Sequence, residues 1–139
     1  LYFLGPYICG EWENGGLPWW LLNKNISSMR TSDKRFKNAV QTWFSVLLPL
    51  IKPLLRKNNG PVLMVQIENE YGSYKECDRN YTAWLRNLTR KFLGKDAVVY
   101  TNMYSLGASM NFYMIHGGTN FGFWSGAESN APVCFLDSE

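Results

Sequence analysis

Apolar and polar positions along this chain follow two rhythms. Residues 62–67, V-L-M-V-Q-I, are a nearly continuous apolar run between Asn58-Asn59-Gly60-Pro61 and Gly72-Ser73. Such a run between turn signals predicts a buried strand. Residues 1–9 read as an earlier strand interrupted by Gly5-Pro6, and residues 97–101 as a later one. Between them the spacing changes. Phe36, Val40, Trp43, Phe44, Leu47 and Ile51 recur at helical intervals, with Ser32 as the N-cap and Asp33 in the first turn. Pro49 and Pro53 fall inside this pattern, so a kink or a break near Pro49 is expected. A second helix starts near Asp78, carries Tyr81, Trp84, Leu85, Leu88 and Phe92 on one face, and closes at Gly94-Lys95-Asp96. Residues 10–18 read as a loop and 19–22 as one helical turn. The order strand, helix, strand, helix, strand predicts an α/β fold with a parallel sheet. A last strand is expected over residues 111–115. Too few residues separate it from Thr101 for a helical crossover of about a dozen residues or more.

The chemistry gathers where the central strand ends. Glu68-Asn69-Glu70-Tyr71-Gly72 places two carboxylates, an amide and a phenol at its carboxyl end. That end of a strand is where parallel α/β folds build their sites. A carboxylic acid at the rim of an apolar core can have its pKa raised, as a general acid requires. Polar strand ends also arise simply because the chain returns to solvent. Glu68, two residues before Glu70, reads as a deeper hydrogen-bond partner. Strict strand alternation sends Asn69 and Glu70 to opposite faces. If both serve one ligand, the strand end must be bent or bulged.

Bulk composition narrows the field. The 139 residues suffice for one modest domain. With 14 basic against 11 acidic residues and no Lys/Arg run, no nucleic-acid partner is expected. No apolar stretch approaches the roughly eighteen residues of a membrane span. Six Trp, eight Tyr and eight Phe suit the faces of sugars and suit plain cores equally. Trp12, Trp19 and Trp20 could form a sugar platform or pack in the core. Cys9, inside an apolar stretch, reads as an inert buried thiol. His116 is the only histidine, which argues against a multi-histidine metal site, and Gly117-Gly118-Thr119-Asn120 lacks the Lys-Ser/Thr of a phosphate loop. No cofactor or metal is therefore expected. Sequons at Asn25, Asn80 and Asn87 lean toward the secretory route. Asn80 and Asn87 lie about 100° from the apolar stripe of their helix, leaving glycans room in solvent. The chain begins with Leu1 and reads as a piece of something longer.

Three blocks carry a resemblance. Residues 5–22 read G-P-Y-I-C-G-E-W-E-N-G-G-L-P-W-W-L-L, residues 60–74 read G-P-V-L-M-V-Q-I-E-N-E-Y-G-S-Y, and residues 108–127 read A-S-M-N-F-Y-M-I-H-G-G-T-N-F-G-F-W-S-G-A. Together they resemble the β-galactosidases of glycoside hydrolase family 35, the lysosomal animal type in particular. The resemblance implies an incomplete (β/α)₈ TIM barrel over residues 1–127, with strands like the third, fourth, fifth and eighth, and a divergent tail over 128–139. It implies removal of terminal non-reducing β-D-galactose with retention, which needs two carboxyl groups about 5 Å apart. By resemblance Glu70 is the acid/base, Asn69 binds the sugar 2-hydroxyl, and Glu11 and Tyr113 contact galactose. The implied partners are galactosyl-terminated glycans or glycolipids, in the lysosome, the secretory pathway or outside the cell. The family nucleophile, a Glu in an N-S-E-F-like motif, has no counterpart here. A barrel unit takes about thirty residues, so two units are missing between residues 101 and 111. The chain alone is therefore expected to be inactive; the alternative is a non-catalytic galactose-binding remnant. Cys77 resembles half of a family disulfide whose other half falls in the missing stretch, so it is expected to be unpaired.

Overall fold

The structure is a computed structural model that describes residues 2–10 and 12–101. The expected strand over 111–115, with Tyr113, and the tail after 127 lie outside the described residues, as does Glu11. Among the described residues three strands form one parallel sheet: β1 (Tyr2–Gly5), β2 (Val65–Ile67) and β3 (Val99–Tyr100), in the order β1-β2-β3. Helix α1 (Lys34–Ile51) leads from β1 to β2, and α2 (Arg79–Leu93) from β2 to β3. The alternation read from the sequence is thus the alternation of the fold. Tyr2 pairs with Val65 and Gly5 with Ile67, with a register shift between Phe3 and Gly5. Val65 and Gln66 pair on the other side with Val99 and Tyr100.

β2 is central, and Val65 and Ile67 are fully buried. Gly60, in the loop before it, has no Cβ because that atom would overlap the Leu54 carbonyl. Residues 10–18 contain a short 3₁₀ turn at Glu13–Gly16, and the expected helical turn is a 3₁₀ segment at Trp19–Lys24.

The α1 N-cap is Asp33, one residue later than expected. Its carboxylate accepts the Arg35 and Phe36 N–H groups at 2.8 and 3.2 Å. Ser32 does something else: its N–H and Oγ–H both donate to Asp78, at 2.6 and 3.0 Å. Asp78 in turn caps α2 by accepting the Tyr81 N–H at 2.9 Å. One carboxylate therefore ties the starts of both helices together. The chain is not broken at Pro49. Pro49 sits in the last turn, where it forfeits a single N–H bond, and the helix continues to Ile51 before a 3₁₀ turn with Pro53 ends it.

The buried stripe of α1 is Phe36, Val40, Phe44, Leu48 and Ile51. Trp43, expected on that stripe, is 53% exposed. Residues 43 and 44 are both aromatic, and one step of about 100° decides which faces the core. On α2, Tyr81, Leu85, Leu88 and Leu93 are buried, while Trp84 and Phe92 pack at the edge. Phe36 and Tyr81 join the two helices, ring centres 5.9 Å apart. Gly94 closes α2 at φ +109°, a conformation that favours glycine.

Three further expectations are corrected. Cys9 is exposed at φ +56°, because β1 ends at Gly5 and the apolar stretch after it leaves the sheet. Cys77 is disulfide-bonded rather than unpaired. The family's pairing did not carry over; a bridge needs only two thiols in reach with the right Cβ directions. Trp12, Trp19 and Trp20 are exposed, so core packing does not explain them.

Candidate active site

The site is built where β2 stops. Ile67 is the last strand residue, and the backbone then turns left-handed twice, at Glu68 (φ +60°) and at Glu70 (φ +48°). This supplies the bend that strand alternation demanded. Left-handed non-glycine residues cost on the order of 1 kcal/mol or more each and persist only where the surroundings over-determine them. The surroundings here are explicit.

Glu68 is 1% exposed. Its N–H donates to the Gly5 carbonyl at 3.0 Å, fastening the turn to the end of β1. Its Oε2 accepts Arg30 Nε at 2.9 Å and lies 2.8 Å from Nη2, while its Oε1 accepts the Tyr81 hydroxyl at 2.6 Å. Burial pushes the Glu68 carboxyl above its ordinary value, against the pull of Arg30, Tyr81 and the Asn69 N–H. The same burial, with Glu68 beside it, pushes the Tyr81 phenol well up, so that hydroxyl stays a donor.

Arg30 is itself held by aromatic rings. Its guanidinium carbon lies 4.0 Å from the centre of the Tyr7 ring and 4.3 Å from that of Tyr74. Its backbone is pinned too, since its carbonyl accepts the Tyr71 hydroxyl at 2.6 Å. From this seat Arg30 Nη2 donates to the Asn69 carbonyl at 2.7 Å. One guanidinium thus grips both the side chain before the turn and the peptide within it.

Gln66 sets the direction of the Asn69 side chain. Its Nε2 donates to the Glu68 carbonyl at 2.9 Å and to Asn69 Oδ1 at 3.2 Å. With Oδ1 so engaged, the other polar group of the Asn69 side chain is its NH₂ donor. Asn69 is half-buried, and Glu70 beside it is exposed. The Glu70 carbonyl accepts the Ser73 N–H at 2.9 Å, closing the turn. Chemically this is a fixed amide donor next to a solvent-facing carboxyl group, on a rigid support.

Of the residues expected at the site, Asn69 and Glu70 stand in succession on this turn; Glu11 and Tyr113 lie outside the described residues. The sequon residues Asn25, Asn80 and Asn87 are all exposed. Among the described residues no group of His, Cys, Asp or Glu is arranged to hold a metal ion. No helix of the described residues is long and apolar enough to cross a membrane. Sequence reasoning missed Arg30, Gln66 and Tyr81. The helical spacing of Tyr81 predicts a core residue and gives no sign that its hydroxyl is spent on Glu68. Arg30 stands in an irregular segment where no periodicity reports on it.

The family model described as Glycosyl hydrolases family 35 matches residues 2–102 and 97–135. Beta-galactosidase of Homo sapiens is 55% identical over 97 residues, covering 70% of this chain and 14% of that protein. Beta-galactosidase-1-like protein of Mus musculus is 35% identical over 197 residues, covering 89% of this chain and 30% of that one. Beta-galactosidase of Bos taurus is 32% identical over 198 residues, with 88% and 30% covered. The chain thus spans less than a third of the length of these relatives. The 197 aligned positions exceed the chain's own 139 residues, so the mouse relative carries residues within the matched span that have no counterpart here.

Proposed function

We propose, from the premise that this chain belongs to glycosyl hydrolases family 35, that it carries the proton-donor half of a retaining β-galactosidase site and lacks the nucleophile half. Residues 1–127 would be part of a (β/α)₈ barrel, with β1, β2, β3 and residues 111–115 in the places of its third, fourth, fifth and eighth strands. The observation that carries this reading is the clamped turn at the carboxyl end of β2, which presents Asn69 and Glu70 side by side.

In such a site Glu70 protonates the glycosidic oxygen as the bond to C1 breaks, and later removes a proton from the incoming water. The Asn69 N–H donates to the 2-hydroxyl, a contact that strengthens as positive charge develops on the ring. Glu11 and Tyr113 would contact the remaining face of galactose. Retention then needs a second carboxylate about 5 Å from Glu70, on the opposite side of C1. The short link between residues 101 and 111 leaves no segment to bring it. Without it no covalent glycosyl intermediate forms, and the chain alone does not turn over.

The substrate class of the whole enzyme would be glycans or glycolipids ending in β-D-galactose, met in the lysosome or along the secretory route, with Asn25, Asn80 and Asn87 bearing glycans. The test is hydrolysis of 4-nitrophenyl β-D-galactoside by the purified chain, beside a full-length relative. The chain is expected to match the uncatalysed background. Turnover that disappears in Glu70→Gln would mean that the site is complete.

A further inference from the structure

Asn69 takes a hydrogen bond from Gln66, and the Glu70 side chain faces solvent. Yet the backbone under them holds two left-handed residues, Glu68 and Glu70, neither of them glycine. A third, Arg30 (φ +57°), lies thirty-eight residues from Glu68 and touches the turn directly. These backbone states are costly, so the contacts that hold them must be specific.

The charge-assisted bonds in this region converge on that turn. Arg30 reaches Glu68 Oε2 and the Asn69 carbonyl with one guanidinium, and Tyr81 closes the other carboxylate oxygen from α2. The three residues come from the loop before α1, the end of β2 and the first turn of α2. Each therefore reports the position of a different element to the same peptide. An apolar trio of similar volume would fill the space, and buried ion pairs are often no more stabilising than such a trio. It would not, however, specify which way the Asn69 peptide faces. The geometry points to a positioning role: we infer that the Arg30–Glu68–Tyr81 clamp exists to fix the backbone that aims Asn69 and Glu70, rather than to stabilise the fold as such. Its functional meaning rests on the acid/base reading of Glu70, but its existence as a clamp does not.

The test is made on the full chain without any sugar. Amide exchange is followed at Asn69, whose N–H faces Glu68 Oε2, and at Ser73, whose N–H is held by the Glu70 carbonyl. The ¹³Cα and ¹³Cβ shifts of Glu70 report its left-handed state. Arg30→Lys keeps the charge and loses the fork, Glu68→Gln keeps the shape and loses the charge, and Tyr81→Phe removes one hydroxyl from a packed ring. A Phe44→Leu variant, remote from the turn, is the control for general destabilisation.

In Arg30→Lys and Glu68→Gln, exchange at Asn69 and Ser73 should rise by about tenfold or more, the size expected for losing a charge-assisted bond. The Glu70 shifts should leave the left-handed range, while Val40 and Leu85 in the helices keep their protection. Tyr81→Phe, the mildest variant and the one surest to fold, should show the same local pattern at about threefold. Phe44→Leu should lower the melting temperature and leave the Glu70 shifts in place. Unchanged exchange at Asn69 and Ser73, or a uniform acceleration through both helices, would overturn the positioning role. A chain that passes this test yet hydrolyses 4-nitrophenyl β-D-galactoside, with the activity lost in Glu70→Gln, would sink the proposed function alone.

Discussion

Replacing Arg30 by Met keeps most of its volume and removes the one cation that, among the described residues, an ion pair places on Glu68. The Glu68 side chain is fully buried and that of Arg30 is 11% exposed, so solvent screens this pair little. Breaking one partner of such a pair typically costs about 3–5 kcal/mol. Domains of this size hold roughly 5–15 kcal/mol in all, so the variant should lose a large share of its stability at neutral pH. Glu68 has an escape, because it can take a proton. Burial already pushes its carboxyl up, and losing Arg30 pushes it further in the same direction. A carboxyl raised in the folded state gives stability that is full below its unfolded value and lost as pH rises through the folded one. Arg30→Met should therefore be most stable near pH 5 and lose stability toward pH 8, more steeply than the parent. The double variant Arg30→Met/Glu68→Gln has nothing to titrate there and should recover part of the loss with a flat profile. Urea unfolding followed by circular dichroism at pH 5, 6, 7 and 8 measures all three proteins. Parallel pH profiles for parent and Arg30→Met would refute the idea that Glu68 is a buried charge answered by Arg30.

The other predictions concern the frame around the site. Asp78→Ala removes the cap of α2 and both bonds to Ser32 at once; it should cost about 2 kcal/mol or more, read from the urea midpoint, where a simple cap costs about 1. Asp33, held down to about 2 chiefly by the Ser27 N–H and hydroxyl, and Asp78, where burial is outweighed by the Ser32, Tyr81 and Asn80 bonds, are both lowered on folding. Their contribution should be intact above about pH 4 and vanish as pH falls toward 2, seen as a falling thermal midpoint. Expressed through an animal secretory route, the chain should carry glycans at Asn25, Asn80 and Asn87; the three single Asn→Gln variants should each migrate faster by one glycan unless treated with an endoglycosidase.

Sequence patterning made the frame legible and the support of the site much less so. The strand over 62–67 and the two helices follow from runs and periodicity, which burial enforces over many residues at once. Trp43 shows where that signal fails: with Phe44 adjacent, the pattern alone cannot choose the inward ring. The polar cluster around Asn69 and Glu70 is visible in one dimension because it closes an apolar strand. Arg30 and Tyr81 could not, since they meet Glu68 only after the loop before α1 and the start of α2 are brought to the end of β2. The disulfide at Cys77 escapes the sequence for a related reason. An expectation borrowed from longer proteins assumes their spatial neighbours, and this chain supplies its own.

The proposed site holds a proton donor without an opposing nucleophile, and covalent trapping asks about that nucleophile directly. The chain is incubated with 2-deoxy-2-fluoro-β-D-galactosyl fluoride beside a full-length relative, and both are weighed by intact mass spectrometry. The relative should gain one fluorogalactosyl group, and this chain should keep its unmodified mass. One equivalent of fluorogalactosyl ester on any Asp or Glu of this chain would contradict the central claim.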